Sequence, residues 1–311
     1  ELDPALVAAV DATNAVRTRP RTRYDRTLRY FALVALGDSR SAINASDVLV
    51  KVHAKAVGTE PLSGNPYDAN DPHSQLWIHL TAWHSILYCY ERYGPGPLSA
   101  QDEARYWEEC AIAAELQTCD PVDVPRSREG IRAYFDQMRP RLAGSEAAQL
   151  MMEHLLRAEV MLPPMPRVLR PGTWIVTRVL RAATIATMPQ WMRRMAGLHQ
   201  PRVLDAAVRP VMRPAFRVVA ARPRLAVQLL ALLSPSTVPV AAPALLRLPP
   251  RRPETVTPAQ ARERHGLLPP AESYARFRQH VAAKVAARAA DERGLREAAF
   301  DESLPVLGPV A

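Results

Sequence analysis

The sequence predicts an all-α protein. Only 12 of its 311 residues are glycine, whereas β-sandwiches and barrels need many glycine turns. Alanine and leucine, both strong helix formers, are abundant. Apolar residues recur at helical spacing through most of the chain, and no alternating pattern of useful length indicates a strand. Together these observations favour a helical fold with a substantial core.

Three helices are predicted in the N-terminal part of the chain. Residues 1–17 are rich in Ala and Val. Pro20 marks the start of the second helix, with Thr22 as its expected N-cap. The third helix is predicted over residues 39–57 and contains VLVKVHAKAVG, in which His53 lies among small and apolar neighbours. Two interpretations of this histidine stay open, a packed core residue or a ligand.

A loop and the most apolar helix follow. GTEPLSGNPYDANDPHS is dense in Gly, Pro, Asn and Asp, which is typical of a loop. Pro72 opens HSQLWIHLTAWHSILYCYERY, the most apolar and aromatic segment, which we expect to be the most buried helix. Ser99 is the expected cap of the next helix, with Asp102 three residues later. RSREGIRAYFDQMRPRL and SEAAQLMMEHLLRAEVML predict two further amphipathic helices.

Prolines interrupt the second half of the chain. Helical segments continue there as TWIVTRVLRAATIA, PQWMRRMAGL and VLDAAVRPVMRPAFRVVAA. Residues 225–246 carry no charge and are long enough to span a bilayer. Because Pro235, Pro239 and Pro243 break this stretch, we expect an interfacial or buried segment rather than a regular spanning helix.

The chain is predicted to form a helical domain over residues 1–250 and a C-terminal helical tail over residues 251–311. The domain is rich in arginine from about residue 160. Residues 160–250 contain thirteen arginines and one acidic residue, Asp205, which gives a local charge of +12 in a chain whose net charge is +9. Codon bias with a solvated helix face is one interpretation, and a surface for an anionic membrane is the other. No nucleic acid is expected as a partner. The arginines that flank apolar helices are Arg178, Arg181, Arg193, Arg194, Arg209, Arg213, Arg217, Arg222 and Arg224.

The cysteines indicate a reducing compartment. Cys89, Cys110 and Cys119 are odd in number and show no spacing typical of a metal site. Since structural disulfides are rare in the cytosol, a cytoplasmic protein is expected.

Common catalytic signatures are absent from the sequence. It has no glycine-rich phosphate loop, HExxH, nucleophile elbow, CxxC or Glu-x-x-His pair. Four histidines gather in one region instead: His53, His73, His79 and His84. The five-residue separation of His79 and His84 places them on different helix faces, which disfavours a shared zinc ion. A haem needs only one histidine that projects into an apolar slot, with arginines for its propionates.

Six segments follow one another in an order that is specific for a known family. RTRPRTRYDRTLRYFALVALGD contains an arginine four residues before a threonine, VLVKVHAKAVG contains His53, and NPYDANDPHSQLWIHLTAWHSIL contains a tyrosine, Asp-Pro and Trp-x-His. YERYGPGPLSAQDEARYWEEC, VPRSREGIRAYFDQM and MPQWMRRMAGL continue the series. This ordered set, over about two thirds of the chain, resembles the MpaB-type and latex-clearing (rubber) oxygenases, which are haem-b proteins.

The resemblance implies an all-α fold with a globin-like helical core, additional helices and a haem b cofactor with its iron. It implies His53 as the proximal iron ligand. It places Arg23 and Thr27 near the haem as catalytic residues, with Arg23 also contacting the cofactor. Arg26 takes the distal position where rubber oxygenases can place a lysine. His79 matches a family histidine, as a cofactor contact or as a core hydrogen-bonding residue.

The sequence departs from the family pattern at three positions. The charged guanidinium of Arg26 is a poor iron ligand, unlike a lysine amine. Val57 stands where the family often has an arginine. Val7 falls near the position of the carboxylate base of the rubber enzymes, and Asp3 and Asp11 are only approximate substitutes.

The resemblance implies an oxygenase that acts with O2 on a hydrophobic substrate, with an isoprenoid as the leading candidate. Family members cleave carbon–carbon double bonds. Two alternatives come from other functional classes. One is a non-catalytic haem- or lipid-binding helical protein, and the other is a basic, cofactor-free protein that contacts an anionic membrane peripherally.

Overall fold

The structure is a computed structural model, and it describes residues 2–12 and 15–300. Over these residues the chain forms fifteen α-helices and one small sheet, which confirms the predicted all-α class. The strands β1 Val57–Thr59 and β2 Pro66–Asp68 pair antiparallel. The α-helices are α1 Pro4–Ala12, α2 Ala15–Thr18, α3 Pro20–Leu36, α4 Ser39–His53, α5 Pro72–Tyr93, α6 Ala100–Ala114, α7 Arg128–Met138, α8 Glu146–Leu155, α9 Arg170–Thr187, α10 Gln190–Met195, α11 Arg202–Ala220, α12 Pro223–Leu233, α13 Val238–Leu245, α14 Pro258–Arg264 and α15 Pro270–Phe300. Short 3-10 helices lie at Pro121–Asp123, Arg139–Arg141, Ala158–Met161, Arg167–Leu169 and Pro235–Thr237.

The central element of the fold is α5, the most apolar segment of the sequence. Seven of its residues are buried. Trp77 packs with residues of α1, α7 and α8, whereas Leu80 packs with residues of α6 and α7. Tyr93 packs against α9 and α11, and its hydroxyl donates to the carbonyl oxygen of Ala183 at 2.7 Å. Since each fully buried large apolar side chain contributes about 1.5–3 kcal/mol, these contacts bind much of the domain to one helix.

The helix starts follow the capping rules, with one exception to our predictions. The Ser99 side chain accepts from the backbone N–H of Asp102 at 3.1 Å, as predicted for α6. The predicted N-cap role of Thr22 is wrong, because α3 already begins at Pro20 with Arg19 before it. Proline at the first helical position has a suitable φ and lacks an N–H that would need a partner.

The segment predicted as a loop contains the sheet. Its strands have three residues each, which is too short for an alternating pattern to show in the sequence. The preceding helix α4 ends at His53, four residues before its predicted end. The histidine therefore lies at a helix terminus, directly before the hairpin.

The uncharged stretch 225–246 is broken, as its prolines predict. It forms α12 and α13 with the 3-10 turn Pro235–Thr237 between them. The hydroxyl of Ser234, which is fully buried, donates to the Asp25 carboxylate at 2.6 Å and so ties this turn to α3. Among the helices that the structure describes, none combines the length and the apolar character of a membrane span.

Part of the predicted tail 251–311 packs on α4. Ala261 shares a small apolar cluster with Ile43. Arg262, only 3% exposed, forms an ion pair with Asp47 at 2.8 Å. The boundary near residue 250 stays a prediction, but α14 is held to the helix that carries His53 by apolar contact and by a buried charge.

Replacing Arg262 by alanine should lower the free energy of unfolding by about 3 kcal/mol, because the change leaves a partly buried carboxylate without its cation. Arg264 is the control, since its pair with Glu254 is 55% and 60% exposed. Arg264→Ala should cost at most about 1 kcal/mol. Urea unfolding followed by circular dichroism measures both variants, and equal losses would contradict the assigned role of Arg262.

Candidate functional site

The end of α4 is fixed by bonds to its last carbonyl groups. The backbone N–H of Ala56 donates to the carbonyl oxygen of His53 at 2.8 Å. The side chain of Asn70, 2% exposed, donates to the carbonyl oxygen of Val50 at 2.8 Å. The Val50 carbonyl oxygen also accepts from the backbone N–H of Ala54 at 2.9 Å, so Asn70 adds a second bond there. The segment after β2 therefore closes the helix and sets the position of His53.

The imidazole of His53 is half-buried and held at one nitrogen. Its Nδ1 lies 3.1 Å from Nε2 of Gln75, a buried residue in the first turn of α5. The same Gln75 amide also donates to the carbonyl oxygen of Ala69, so it is held from two sides. Within residues 2–12 and 15–300, Nε2 of His53 has no hydrogen-bond partner. One ring nitrogen is thus anchored, and the other makes no hydrogen bond to a described residue.

The electrostatic environment keeps His53 neutral. Burial lowers its pKa to about 4, the positive charge of Arg23 acts in the same direction, and the Asp68 carboxylate opposes them. Tyr274 of α15 donates its hydroxyl to that carboxylate at 2.5 Å. A neutral imidazole is the form that binds a metal, because protonation would occupy the lone pair. His53 is therefore uncharged at neutral pH, which is the charge state that metal binding requires.

The structure brings Arg23 into the electrostatic neighbourhood of His53. Arg23 is half-buried on α3, and Thr27 lies one turn further on and is exposed. Arg26 is also exposed on this helix. In the part of the chain that the structure describes, neither Arg26 nor Thr27 makes a hydrogen bond to His53. Their predicted roles stay predictions.

His79 occupies a different environment. It is 4% exposed, its Nε2 lies 2.7 Å from the carbonyl oxygen of Cys110, and its ring meets Trp83 edge-to-face. Burial lowers its pKa to about 4, and the Cys110 carbonyl opposes that shift. This is the environment expected of the core hydrogen-bonding residue, and a cofactor contact of His79 stays a prediction.

His84 and His73 have other neighbours. His84 stacks on Tyr88, and His73 is exposed beside Arg141. Among the described residues, no three side chains of His, Cys, Asp or Glu gather into a metal cluster.

Val7, at the position of the family's carboxylate base, is buried, and the two approximate substitutes, Asp3 and Asp11, have other partners. Val7 belongs to the hydrophobic core. Asp3 accepts from the backbone N–H of Leu6 at 3.1 Å, and Asp11 pairs with Arg17 at 2.8 Å. Both carboxylates thus have local structural roles near the start of the chain.

The donor set around His53 fits a haem. It offers one neutral imidazole with an open Nε2, which suffices as an axial ligand. The guanidinium of Arg23 is near enough to lower the pKa of His53, and guanidinium groups pair well with propionate carboxylates. Val52 and Val57, which precede and follow the histidine in the sequence, have apolar side chains that are 58% and 39% exposed. Gln75 and Asp68 were missed in the sequence, because their contacts with this region come from residues distant along the chain.

One family matches this chain. Its description is ER-bound oxygenase mpaB/B'/rubber oxygenase, catalytic domain, and the match covers residues 1–221. No curated protein and no solved structure matches. The matched range includes α3, α4 and α5, and with them Arg23, His53 and Gln75. The chain therefore belongs to the mpaB/rubber oxygenase catalytic-domain family, and the ordered motifs in its sequence predict an oxygenase activity.

Proposed function

We propose that the protein is a haem-b-dependent oxygenase that uses O2 to oxidise a hydrophobic substrate. The observation that carries this proposal is the state of His53. It is a neutral imidazole with Nδ1 anchored on Gln75 and with no hydrogen bond from Nε2 to any residue that the structure describes. Haem b, when bound, would supply the iron chemistry that O2 activation requires.

The residues around His53 would hold and orient the cofactor. His53 would hold the iron through Nε2, with the ring proton on Nδ1. Gln75 would accept a hydrogen bond from that N–H through Oε1, after its amide turned and gave up its present bond to the Ala69 carbonyl oxygen. Such an anchor fixes the tautomer and the ring plane of a metal-bound histidine. Arg23 would pair with a propionate or a distal group. Thr27 and Arg26, on the same helix, would line the cofactor on that side.

The proposed substrate is an isoprenoid or a similar apolar alkene, cleaved at a carbon–carbon double bond. Such a cleavage balances with O2 alone, since each new carbonyl group receives one oxygen atom. Support comes from the uncharged stretch 225–246, whose turn is tied to Asp25 on α3. The 3-10 turn and α13 also contact α3, so the apolar segment packs on the helix that carries Arg23 and Thr27.

His53→Ala should give a folded helical protein that retains little haem, because the substitution removes the proposed axial ligand. The measurement is the Soret absorption together with haem stoichiometry after reconstitution. His73→Ala, which removes an exposed histidine from the same region, is the control and should retain haem. Full haem content in His53→Ala would transfer the ligand role to another residue, with His79 first.

Arg23→Gln should release haem about tenfold faster, since a charge-assisted contact contributes on the order of 1.5 kcal/mol. Arg23→Lys should restore part of the retention. Arg29→Gln, an exposed arginine on the same helix, is the matched control. Haem release is measured as transfer of haem to an apo-globin acceptor. A separate assay, O2 uptake with a prenyl compound, distinguishes an oxygenase from a non-catalytic haem-binding protein. Identical release from the Arg23 and Arg29 variants would remove Arg23 from the site.

We further propose that the arginine-rich helices contact an anionic membrane. Trp174 on α9 is 59% exposed, and Val203 and Phe216 on α11 are 80% and 47% exposed. Internal pairing accounts for only a small part of the charge. Among the residues described, Arg181 and Arg193 are the two of the nine predicted arginines that form ion pairs. Arg193 is 4% exposed and buried, so it does not belong to this surface.

The protein should co-sediment with anionic vesicles, be recovered in the supernatant with neutral ones, and be released by high salt. Each arginine near such a surface contributes about 1 kcal/mol. Replacing the exposed Arg202, Arg209 and Arg217 by Gln should therefore weaken binding strongly. Replacing Arg40, Arg105 and Arg132, exposed arginines on other helices, serves as the charge-matched control. Equal recovery with both lipid compositions at low salt would contradict the proposal.

A further inference from the structure

A cavity of about 340 Å³ lies between α9 and the start of α11. Its volume falls at the lower end of the range for small-molecule sites. The lining combines apolar and basic side chains and contains no acidic residue: Arg178, Val179, Arg181, Ala182, Ile185, His199, Gln200, Pro201, Leu204 and Val208. It uses none of the residues around His53.

The two walls of this cavity are formed by residues at helical spacing on α9 and α11. Arg178, Ala182 and Ile185 recur at intervals of four and three residues, so they line one face of α9. Leu204 and Val208 are four residues apart on α11 and face them across the cleft. Ile185 and Val208 are buried, whereas Leu204 is 41% exposed. The cleft is therefore apolar at depth and open at its rim.

The rim carries positive charge, and part of it has no partner among the described carboxylates. No carboxylate within the described ranges pairs with Arg178, whose guanidinium stands over the Trp174 ring at 5.3 Å from its centroid. Arg181 is engaged by Glu153 at 2.8 Å. The nearby acid Asp205 is engaged by Arg193 at 2.7 Å, so it does not oppose an incoming anion.

In a second cavity, by contrast, carboxylates of the protein neutralise the charge of a lining arginine. This cavity has about 230 Å³ and is also lined by arginines, among them Arg128. There Arg128 is held by both Glu91 and Glu103, at 2.8 and 2.7 Å, and the charge is satisfied within the protein. The cleft between α9 and α11 differs because its rim cation has no such partner.

We propose that this cleft binds a single-chain amphiphile with a carboxylate head. The head would pair with Arg178, with His199 as a second donor at the rim. The alkyl chain would lie along Ile185, Leu204 and Val208, where it displaces water from apolar surface. The small volume favours one chain over the two chains of a phospholipid. The site is independent of the proposed haem chemistry.

Titration calorimetry with decanoate below its critical micelle concentration tests the site. Wild type should bind decanoate saturably and more tightly than decan-1-ol. Arg178→Gln should weaken decanoate binding about tenfold and leave decan-1-ol unchanged, because it removes only a charge-assisted contact. Leu204→Gln should weaken both ligands by a similar factor.

Two controls separate this site from the other proposals. Arg209→Gln removes an exposed arginine of α11 that does not line the cleft, and it should leave decanoate binding unchanged. His53→Ala should also bind decanoate normally. Absence of saturable decanoate binding, equal effects of Arg178→Gln and Arg209→Gln, or binding to phosphatidylglycerol vesicles without binding to monomeric decanoate would each overturn the proposal.

Discussion

The burial of α5 is the constraint on which the rest of the structure depends. Its side chains belong to three separate apolar clusters, so this one helix positions the helices that pack on each side of it. The polar residues on α5 are fixed by that burial. Gln75 anchors His53, and His79 meets the Cys110 carbonyl. Packing and site geometry are therefore coupled, because the apolar contacts of the helix fix the backbone positions of both polar residues.

The two histidines on this framework show why a pKa alone does not identify a ligand. Burial lowers the pKa of both His53 and His79 to about 4, so both are neutral at neutral pH. His79 uses its Nε2 on a backbone carbonyl deep in the core. His53 has its Nδ1 on a side chain and lies at a helix end with apolar neighbours exposed beside it. The distinction is one of geometry and access, since the electrostatic cost of protonation is similar at both.

Local signals in the sequence predicted what depends on local physics. The apolar run of α5, the Ser99 cap and the proline breaks within residues 225–246 all act over a few residues, and each appears as expected. The order of motifs gave the family, which the match over residues 1–221 confirms. The hairpin was missed because its strands are too short to show a period. The Gln75 contact was missed because it joins residues 22 positions apart through tertiary folding, for which a single sequence carries no pattern.

The packing of α14 on α4 shows that the end of the family match and the end of the packed structure are different boundaries. The family match ends at residue 221, yet the helix that carries His53 packs against Ala261, and its Asp47 pairs with Arg262. A fragment cut where the match ends would expose the face of Ile43 and leave Asp47 without its counterion. The region that matches the family is thus shorter than the region that packs around α4. Fragment design for this protein has to follow the second.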